Sequence, residues 1–215
     1  MFKTSEIKTT LVGRRSPCGA SVSSLTVMDK ENSMHSKKQG LSLVTTSAAL
    51  ILAASQAIAE PKLEVEVFEA GVEGRGDSIG TVTLTAYDHG VLIESDLTGL
   101  SPGIHGFHLH ENPDCSPVEK DGKTTPAGAA GGHYDPENTG KHKGPFDKSG
   151  HLGDLPRLHV GQEGENAQTN IAPRLQLSDF KGRALVIHGG GDNYSDSPQP
   201  LGGGGARVAC GVVAG

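Results

Sequence analysis

Seven candidate metal ligands, six histidines and one aspartate, are spread over a stretch of 81 residues. Imidazole nitrogens and carboxylate oxygens are ligands that zinc and copper bind in proteins. Seven such groups exceed what one ion needs, so the pattern predicts a site for two metals. The seven residues are His108, His110, His133, His142, His151, Asp154 and His188.

The first two histidines are spaced for a β-strand. His108 and His110 are two residues apart, so on a strand both side chains point to the same face, while Phe107 and Leu109 point to the other. Two imidazoles side by side on a rigid element would form half of a metal site. The alternative is a pair of ordinary strand histidines.

The next four candidates lie in a segment rich in glycine, proline and lysine. His133, His142, His151 and Asp154 are separated by nine, nine and three residues. Three imidazoles and one carboxylate would fill a tetrahedral zinc site and leave no open position, which is typical of a structural zinc. The alternative is a solvated loop that happens to carry histidines.

The last histidine ends a predicted strand and opens a second glycine-rich stretch. Asp192 follows His188 by four residues and could accept hydrogen bonds from ligand imidazoles. The alternative for Asp192 is a turn residue in the sequence Gly-Asp-Asn.

Alternating apolar and polar residues predict that strands position these side chains. An antiparallel arrangement is favoured by the Asp88-His89-Gly90 turn between two alternating segments. The predicted strands are 62–70, 79–87, 91–97, 104–110, 175–177, 184–188 and 207–213.

Two long stretches, 112–173 and 189–205, show no such alternation and are predicted to be irregular. Loops of this length in compact domains usually carry function or are disordered, and metal ligation would order them. With 31 glycines, 12 prolines, no tryptophan and 34% hydrophobic residues, the chain favours a turn-rich β fold over a helical bundle. The predicted class is all-β, an antiparallel β sandwich or barrel with two functional loops.

The first 59 residues have the order of a secretory signal peptide. Lys37 and Lys38 precede a mainly apolar segment, 41–52, and Ala57-Ile58-Ala59 resembles a cleavage site. The alternative is a membrane anchor, but the longest unbroken apolar run, 48–54, is far short of the ~20 residues that span a bilayer. Cleavage after Ala59 would leave a domain of residues 60–215, and Met34 could be the true start.

Residues 60–215 carry 12 Lys and Arg against 22 Asp and Glu, a formal charge of −10. Such a chain is a poor partner for nucleic acid, whose binding depends on neutralised phosphates. It retains two cysteines, Cys115 and Cys210, and an even pair in an exported chain predicts a disulfide. Closing so long a loop would stabilise the fold by roughly 4–5 kcal/mol.

Five segments in this order resemble the copper/zinc superoxide dismutase family: GIHGFHLH, GGHYDP, GHLGDLP, VIHG and GARVACGVV. The resemblance runs from about Lys62 to Val213. The lysine-bearing insertion after Cys115 and the stretch DNYSD followed by GGGG are similar to the bacterial periplasmic branch. The resemblance implies an immunoglobulin-like Greek-key β sandwich, or flattened barrel, of about eight strands, and guidance of the substrate by charge is a known feature of this family.

Carried over to this sequence, the resemblance implies one copper and one zinc per chain. His133 would be shared by both metals, and Asp192 would link the two sites. Cys115 and Cys210 match the family disulfide, and Arg207 matches the arginine at the mouth of the copper channel. The implied copper ligands are His108, His110, His133 and His188, and the implied zinc ligands are His133, His142, His151 and Asp154.

The implied activity is dismutation of superoxide to oxygen and hydrogen peroxide, with His133 and Arg207 as the residues that serve the reaction. The implied location is the periplasm, and the implied assembly is a homodimer or a monomer without a membrane anchor. Lys120 and Lys123 could guide superoxide toward copper, or belong to a solvated loop. The competing hypotheses are a dismutase-like copper/zinc-binding or copper-delivery module without turnover and a disulfide-braced structural domain.

Overall fold

A computed structural model describes residues 61–215, so the predicted signal peptide and its cleavage site lie outside the described residues. The strands are β1 Lys62–Gly71, β2 Gly74–Tyr87, β3 Gly90–Leu97, β4 Gly103–His105, β5 Phe107–His110, β6 Val118–Lys120, β7 Lys123–Thr125, β8 Leu158–Val160, β9 Asn166–Ala172, β10 Arg183–His188 and β11 Arg207–Val213. One short α-helix, α1, spans Leu177–Phe180, and two short 3-10 helices span Gly128–Ala130 and Leu201–Gly203.

Seven of these strands form one antiparallel sheet in the order β5-β10-β11-β1-β2-β3-β9. Its two outer strands are connected through a second, two-stranded pairing. β4 leads through Gly106 into β5 at one edge, and β4 pairs with β8, which leads into β9 at the other edge. The sheet therefore curls into a flattened barrel, which confirms the predicted all-β fold class.

Alternation along the strands accounts for the core. On β1, Val65 and Val67 are buried, while the neighbouring Glu64 and Glu66 are exposed. β5 differs, because all four of its residues are buried. Phe107 and Leu109 belong to the hydrophobic core, so the two histidines of β5 are buried on its other face. The sheet thus provides a rigid, water-excluded base for these imidazoles.

Three strand predictions need correction. The predicted strand 104–110 is two strands, because Gly106 leaves the ladder and its amide instead donates to the carbonyl of Gly190 at 2.9 Å. The predicted strand 175–177 is wrong, since Leu177 begins α1. The predicted irregular stretch 112–173 contains four strands, β6 to β9, so the described residues hold eleven strands rather than about eight.

The longest of these unpredicted strands, β9, has little apolar alternation because it pairs on one side only, with β3, in the seven-stranded sheet. Asn166 and Ala172 at its ends are buried, and the positions between them are half-buried or exposed. An edge strand of this kind can be mostly polar, so a hydrophobic pattern does not reveal it.

A disulfide joins Cys115 to Cys210, with Cα atoms 5.8 Å apart, as predicted. It ties the segment that precedes the β6–β7 hairpin to β11, an interior strand of the sheet. No helix among residues 61–215 is long and apolar enough to cross a membrane.

Candidate metal centre

Three of the candidate histidines project from neighbouring strands. β5 pairs with β10, with His108 opposite Val186 and His110 opposite Ala184. His188 is the last residue of β10, and its amide donates to the carbonyl of Gly106 at 2.8 Å. All three side chains are buried, and sheet hydrogen bonds fix the backbone that carries them.

The loop candidates are brought against this strand by backbone contacts. Isolated bridges pair His108 with Asp154 and His110 with His133. Between them, Gly153 accepts a hydrogen bond from the Leu109 amide at 2.9 Å. A Cβ at Gly153 would lie only 2.3 Å from the Leu109 carbonyl oxygen, so only glycine allows so close an approach.

Four imidazole nitrogens converge without a hydrogen-bond partner. They are His108 Nδ1, His110 Nε2, His133 Nε2 and His188 Nε2, and all are buried. The four side chains offer ligand atoms that lie within 4.8 Å of one another. Buried polar atoms are nearly always paired, so four orphaned nitrogens facing one point indicate that a metal ion is their missing partner. Four neutral imidazoles suit copper.

A second group converges on one carboxylate oxygen. Asp154 Oδ1 lies 3.0 Å from Nδ1 of His133, 3.0 Å from Nδ1 of His142 and 3.3 Å from Nδ1 of His151. The His142 contact lacks hydrogen-bond alignment. Ligand atoms in a tetrahedral zinc site with bonds of about 2.0 Å lie about 3.3 Å apart, so these separations fit a zinc ion.

The ligand atoms of the candidate residues are not equally close to one another. Groups whose ligand atoms all lie within 4.8 Å of one another include His108, His133, His142 and Asp154, but not His151. Because His108 Nε2 is already bonded to Asp192, its remaining Nδ1 belongs with the other three orphaned nitrogens. We call His108, His110, His133 and His188 the copper-type group. We call the residues around the Asp154 carboxylate, namely His133, His142, His151 and Asp154, the zinc-type group. His151 belongs to it through its contact with Asp154.

The imidazole of His133 faces both groups. Its Nδ1 lies beside Asp154, and its Nε2 is one of the four orphaned nitrogens. The ring is almost parallel to that of His108, with centroids 3.9 Å apart. One side chain therefore presents one ring nitrogen to each group, which is the geometry that a ligand shared by two metals requires.

Asp192 connects the two groups by a separate route. Its Oδ2 accepts from His108 Nε2 at 2.9 Å, and its Oδ1 accepts from His142 Nε2 at 2.7 Å. Gly202 makes this possible, because a Cβ there would lie 2.1 Å from Asp192 Oδ1 and its φ is +69°. These hydrogen bonds fix which ring nitrogen of each histidine is left to bind a metal.

The two groups differ in their protonation. Burial, together with the charge of His133, holds the pKa of His108 and of His110 well below the ordinary value and lowers the pKa of His188 to about 4. Burial also acts to lower the pKa of His142, but the nearby carboxylates of Asp154 and Asp192 outweigh it and raise the pKa to about 9.

Comparison with known proteins agrees with this geometry. Residues 78–213 match the family described as copper/zinc superoxide dismutase. The chain belongs to this family. Superoxide dismutase [Cu-Zn] of Brucella abortus is 51% identical over 168 residues, which cover 78% of this chain and 96% of that protein. Superoxide dismutase [Cu-Zn] 1 of Salmonella typhimurium is 55% identical over 174 residues, covering 80% and 96%.

Solved structures of the dismutase family resemble this chain as well. The Cu/Zn superoxide dismutase from Brucella abortus has a TM-score of 0.70 and 52% identity, and the match covers 71% of this chain and 99% of that one. A monomeric copper, zinc superoxide dismutase from Salmonella enterica has a TM-score of 0.65 and 50% identity, with coverages of 71% and 99%.

Arg207 and His133, the two residues that the dismutase resemblance predicts to act on substrate, occupy different positions in the site. Arg207 begins β11 and is half-buried, and its guanidinium donates to the carbonyls of Ala127 and Gly131 at 2.5 and 2.6 Å. The carbonyl of Gly131 also accepts from His110 Nδ1 at 3.0 Å, so Arg207 and the copper-type group share an acceptor. His133 is at the centre of both groups.

The two candidate guiding lysines lie apart from this network. Lys120 and Lys123 face each other across the turn of the β6–β7 hairpin, and both are exposed. Within residues 61–215, the hydrogen bonds and ion pairs do not connect either lysine to the histidines. Like charges directly opposite on paired strands are unfavourable, so this lysine pair does not stabilise the hairpin.

Three further side chains support the site and carry no local sequence signal. Arg157 donates to the Asp192 carbonyl at 2.9 Å and lies over the Tyr194 ring. Asp196 accepts from the His142 amide at 2.8 Å. Arg174 donates to several carbonyls of the loop that carries His142 and His151.

The remaining histidines do not join either group. His105 is buried, with Nδ1 2.6 Å from the carbonyl oxygen of His188 and Nε2 2.7 Å from that of Ser101. His89 and His159 are exposed.

Proposed function

We propose that this chain is a copper- and zinc-dependent superoxide dismutase that converts two superoxide ions and two protons to oxygen and hydrogen peroxide. Four orphaned, buried imidazole nitrogens beside a second, carboxylate-centred group carry the proposal. Family membership and the identity to two bacterial superoxide dismutases support the same activity.

We assign the ligands by atom. Copper would bind Nδ1 of His108 and Nε2 of His110, His133 and His188. Zinc would bind Nδ1 of His133, His142 and His151 and Oδ1 of Asp154. The orphaned atoms and the 3.0–3.3 Å separations support this division. Each metal receives four ligands from seven residues because His133 serves both.

Bound copper supplies the one-electron chemistry, oxidising one superoxide and reducing the next, whereas zinc has no redox chemistry and serves structure. The chain supplies proton handling and substrate attraction. Nε2 of His133 is the atom at which a proton can be held and released beside the substrate. Protonation there is compatible with Nδ1 remaining beside Asp154.

Arg207 would attract and orient the substrate anion. Its guanidinium keeps a positive charge at any physiological pH, and carbonyl hydrogen bonds fix its plane. In an acidic domain this local positive charge opposes the overall field, so it marks where a small anion is favoured. Lys120 and Lys123 would extend the attraction outward along the exposed hairpin.

We infer that the functional domain is residues 60–215 and that it works in the periplasm after cleavage behind Ala59. The signal-like order of residues 1–59 supports export, and the Cys115–Cys210 disulfide suits an oxidising compartment. The mature domain would carry no membrane anchor and would be a homodimer or a monomer. The Salmonella enterica relative is described as monomeric. Sedimentation at several concentrations separates the two assemblies.

The proposal is tested by superoxide consumption. The purified domain is loaded with one copper and one zinc, and the decay of superoxide is followed by stopped flow. We expect rapid consumption that chelation of copper abolishes. A fully loaded protein that does not accelerate the decay would overturn the enzymatic proposal and favour a metal-binding or copper-delivery module.

A further inference from the structure

Arg174 lies where the rigid sheet meets the loop that bears the proposed zinc ligands. It follows β9 by two residues, after Pro173, and β9 pairs with β3 over seven residues. Proline restricts the backbone at this exit from the strand. The position of the Arg174 backbone is therefore set by the sheet and does not depend on the loop.

The Arg174 guanidinium is bonded to the loop at four carbonyls. Nε donates to Pro145 at 2.9 Å, one terminal nitrogen to Gly150 at 3.3 Å, and the other to Gly144 at 3.1 Å and His151 at 2.6 Å. All four acceptors belong to residues 144–151, the segment that separates His142 from Asp154. A planar fork with five N–H donors can serve several acceptors at once, and an ammonium group cannot reproduce this arrangement.

The same loop is also held through its amides. Asp154 Oδ2 accepts from the amides of Lys143 at 2.9 Å and Gly144 at 3.0 Å. The His151 amide donates to the carbonyl of Lys141 at 2.8 Å, closing the loop on itself. Protein groups alone therefore satisfy both the amides and the carbonyls that shape the loop.

We propose that Arg174 is a positioning residue that holds the 141–151 loop in its ligand-bearing shape before zinc binds, so that zinc enters a preformed site. This inference rests on the proposed function, since it takes His142, His151 and Asp154 as zinc ligands. It replaces the expectation that metal ligation alone orders this loop. Holding a loop in its bound conformation improves affinity by reducing the ordering cost of binding.

The test compares Arg174→Met with Arg174→Lys, which keeps the charge but loses the fork. Lys148→Met is the matched control, because Lys148 is an exposed cation of the same loop and its removal leaves the carbonyl contacts intact. Amide hydrogen exchange of Lys143, Gly144 and His151 is measured in the metal-free domain. Zinc affinity is measured by competition with a chelator, and the visible spectrum of bound copper is recorded.

We expect loop amides to exchange about tenfold faster or more in Arg174→Met, with zinc affinity about 10–100-fold weaker, the range found for residues that orient ligands. Arg174→Lys should restore loop protection and zinc affinity only in part. Lys148→Met should leave loop exchange and zinc affinity unchanged, and the copper spectrum should be the same in all variants. Amides of β1 and β2 report whether each variant is folded. If Arg174→Met does not fold, Arg174→Lys alone decides, because it must still show faster loop exchange.

Unchanged loop exchange and zinc affinity in a folded Arg174→Met would overturn the inference. Full recovery by lysine, or an equal loss in Lys148→Met, would replace the positioning role with a simple charge effect and equally overturn it. The proposed function fails separately, through absence of superoxide consumption by the loaded wild-type domain. Metal-free hydrogen exchange does not depend on that activity.

Discussion

The two halves of the metal centre are built on different kinds of structure. His108, His110 and His188 project from paired strands and are held by the sheet. His142, His151 and Asp154 lie in a loop that is held by side-chain to backbone hydrogen bonds. The redox metal would thus be held by paired strands of the sheet, and the structural metal by a loop outside the named strands.

The electrostatic environments differ in the same way. Burial, helped by the charge of neighbouring histidines, keeps the pKa values of the strand histidines low, and the Arg207 guanidinium adds to this at His110 and His188. The loop group contains Asp154 and also contacts Asp192, whose carboxylates favour a protonated His142. Neutral imidazoles are ready for a metal at neutral pH, whereas the loop group must first release a proton.

The largest effect is expected from the strand group. His188→Ala should reduce superoxide consumption to the background rate, because one of four copper ligands is lost from a fixed frame. Zinc content should remain at one per chain. Stopped-flow decay and metal analysis of the same preparation check both statements. Wild-type activity in this variant would remove His188 from the copper site.

Asp154→Ala should act on the other half of the centre. Zinc occupancy should fall well below one per chain, since a ligand and the acceptor of the Lys143 and Gly144 amides are lost together. Copper should stay bound, because the strand histidines are unchanged. Metal analysis after dialysis decides the matter. Retained zinc would show that Asp154 is not a ligand.

The number of protons released on metal binding should differ between the two halves of the metal centre. With a pKa of about 9, His142 keeps its proton in the metal-free domain at pH 7.5, and zinc must displace it. Calorimetry in buffers of different ionisation enthalpy should show about one proton released per zinc, and zinc affinity should rise up to about tenfold per pH unit toward pH 9. Copper binding to the strand group of the metal-free domain should release almost none, because His133 can keep its proton on Nδ1 beside Asp154.

The sign of the accompanying stability change follows from the same pKa. Because folding raises the pKa of His142 above 6.5, its contribution stabilises the metal-free domain fully below pH 6.5 and is lost as the pH rises through about 9. The strand histidines act oppositely, since lowered pKa values destabilise the fold as the pH falls from 6.5 toward 4. If calorimetry showed that copper and zinc release the same number of protons on binding, the proposed difference in protonation between the strand group and the loop group would be wrong.

The smallest effect concerns substrate approach. A Lys120→Gln and Lys123→Gln double variant should consume superoxide roughly two- to tenfold more slowly at low ionic strength, with a weaker dependence on salt. Lys62→Gln with Lys181→Gln removes the same charge elsewhere on the domain and should change little. If the hairpin variant kept the wild-type rate and salt dependence, the two lysines would belong to a solvated turn.

The sequence was sufficient for what depends on local spacing. The interval between His108 and His110 predicted one strand face, and the even pair Cys115 and Cys210 predicted the disulfide. It was insufficient where long-range contacts decide. β9 is a polar edge strand recognisable only by its partner β3, and Arg174 acts on carbonyls 23 to 30 residues earlier in the chain. No local pattern marks such an arginine.

The division of the centre into a strand-held copper and a loop-held zinc is tested most directly by anomalous X-ray scattering from crystals of the loaded domain. Data collected on either side of the copper and zinc absorption edges identify each ion separately. We predict copper bonded to His108, His110 and His188, zinc bonded to His142, His151 and Asp154, and His133 bonded to both. Zinc among the strand histidines, or a zinc without His151, would contradict this account.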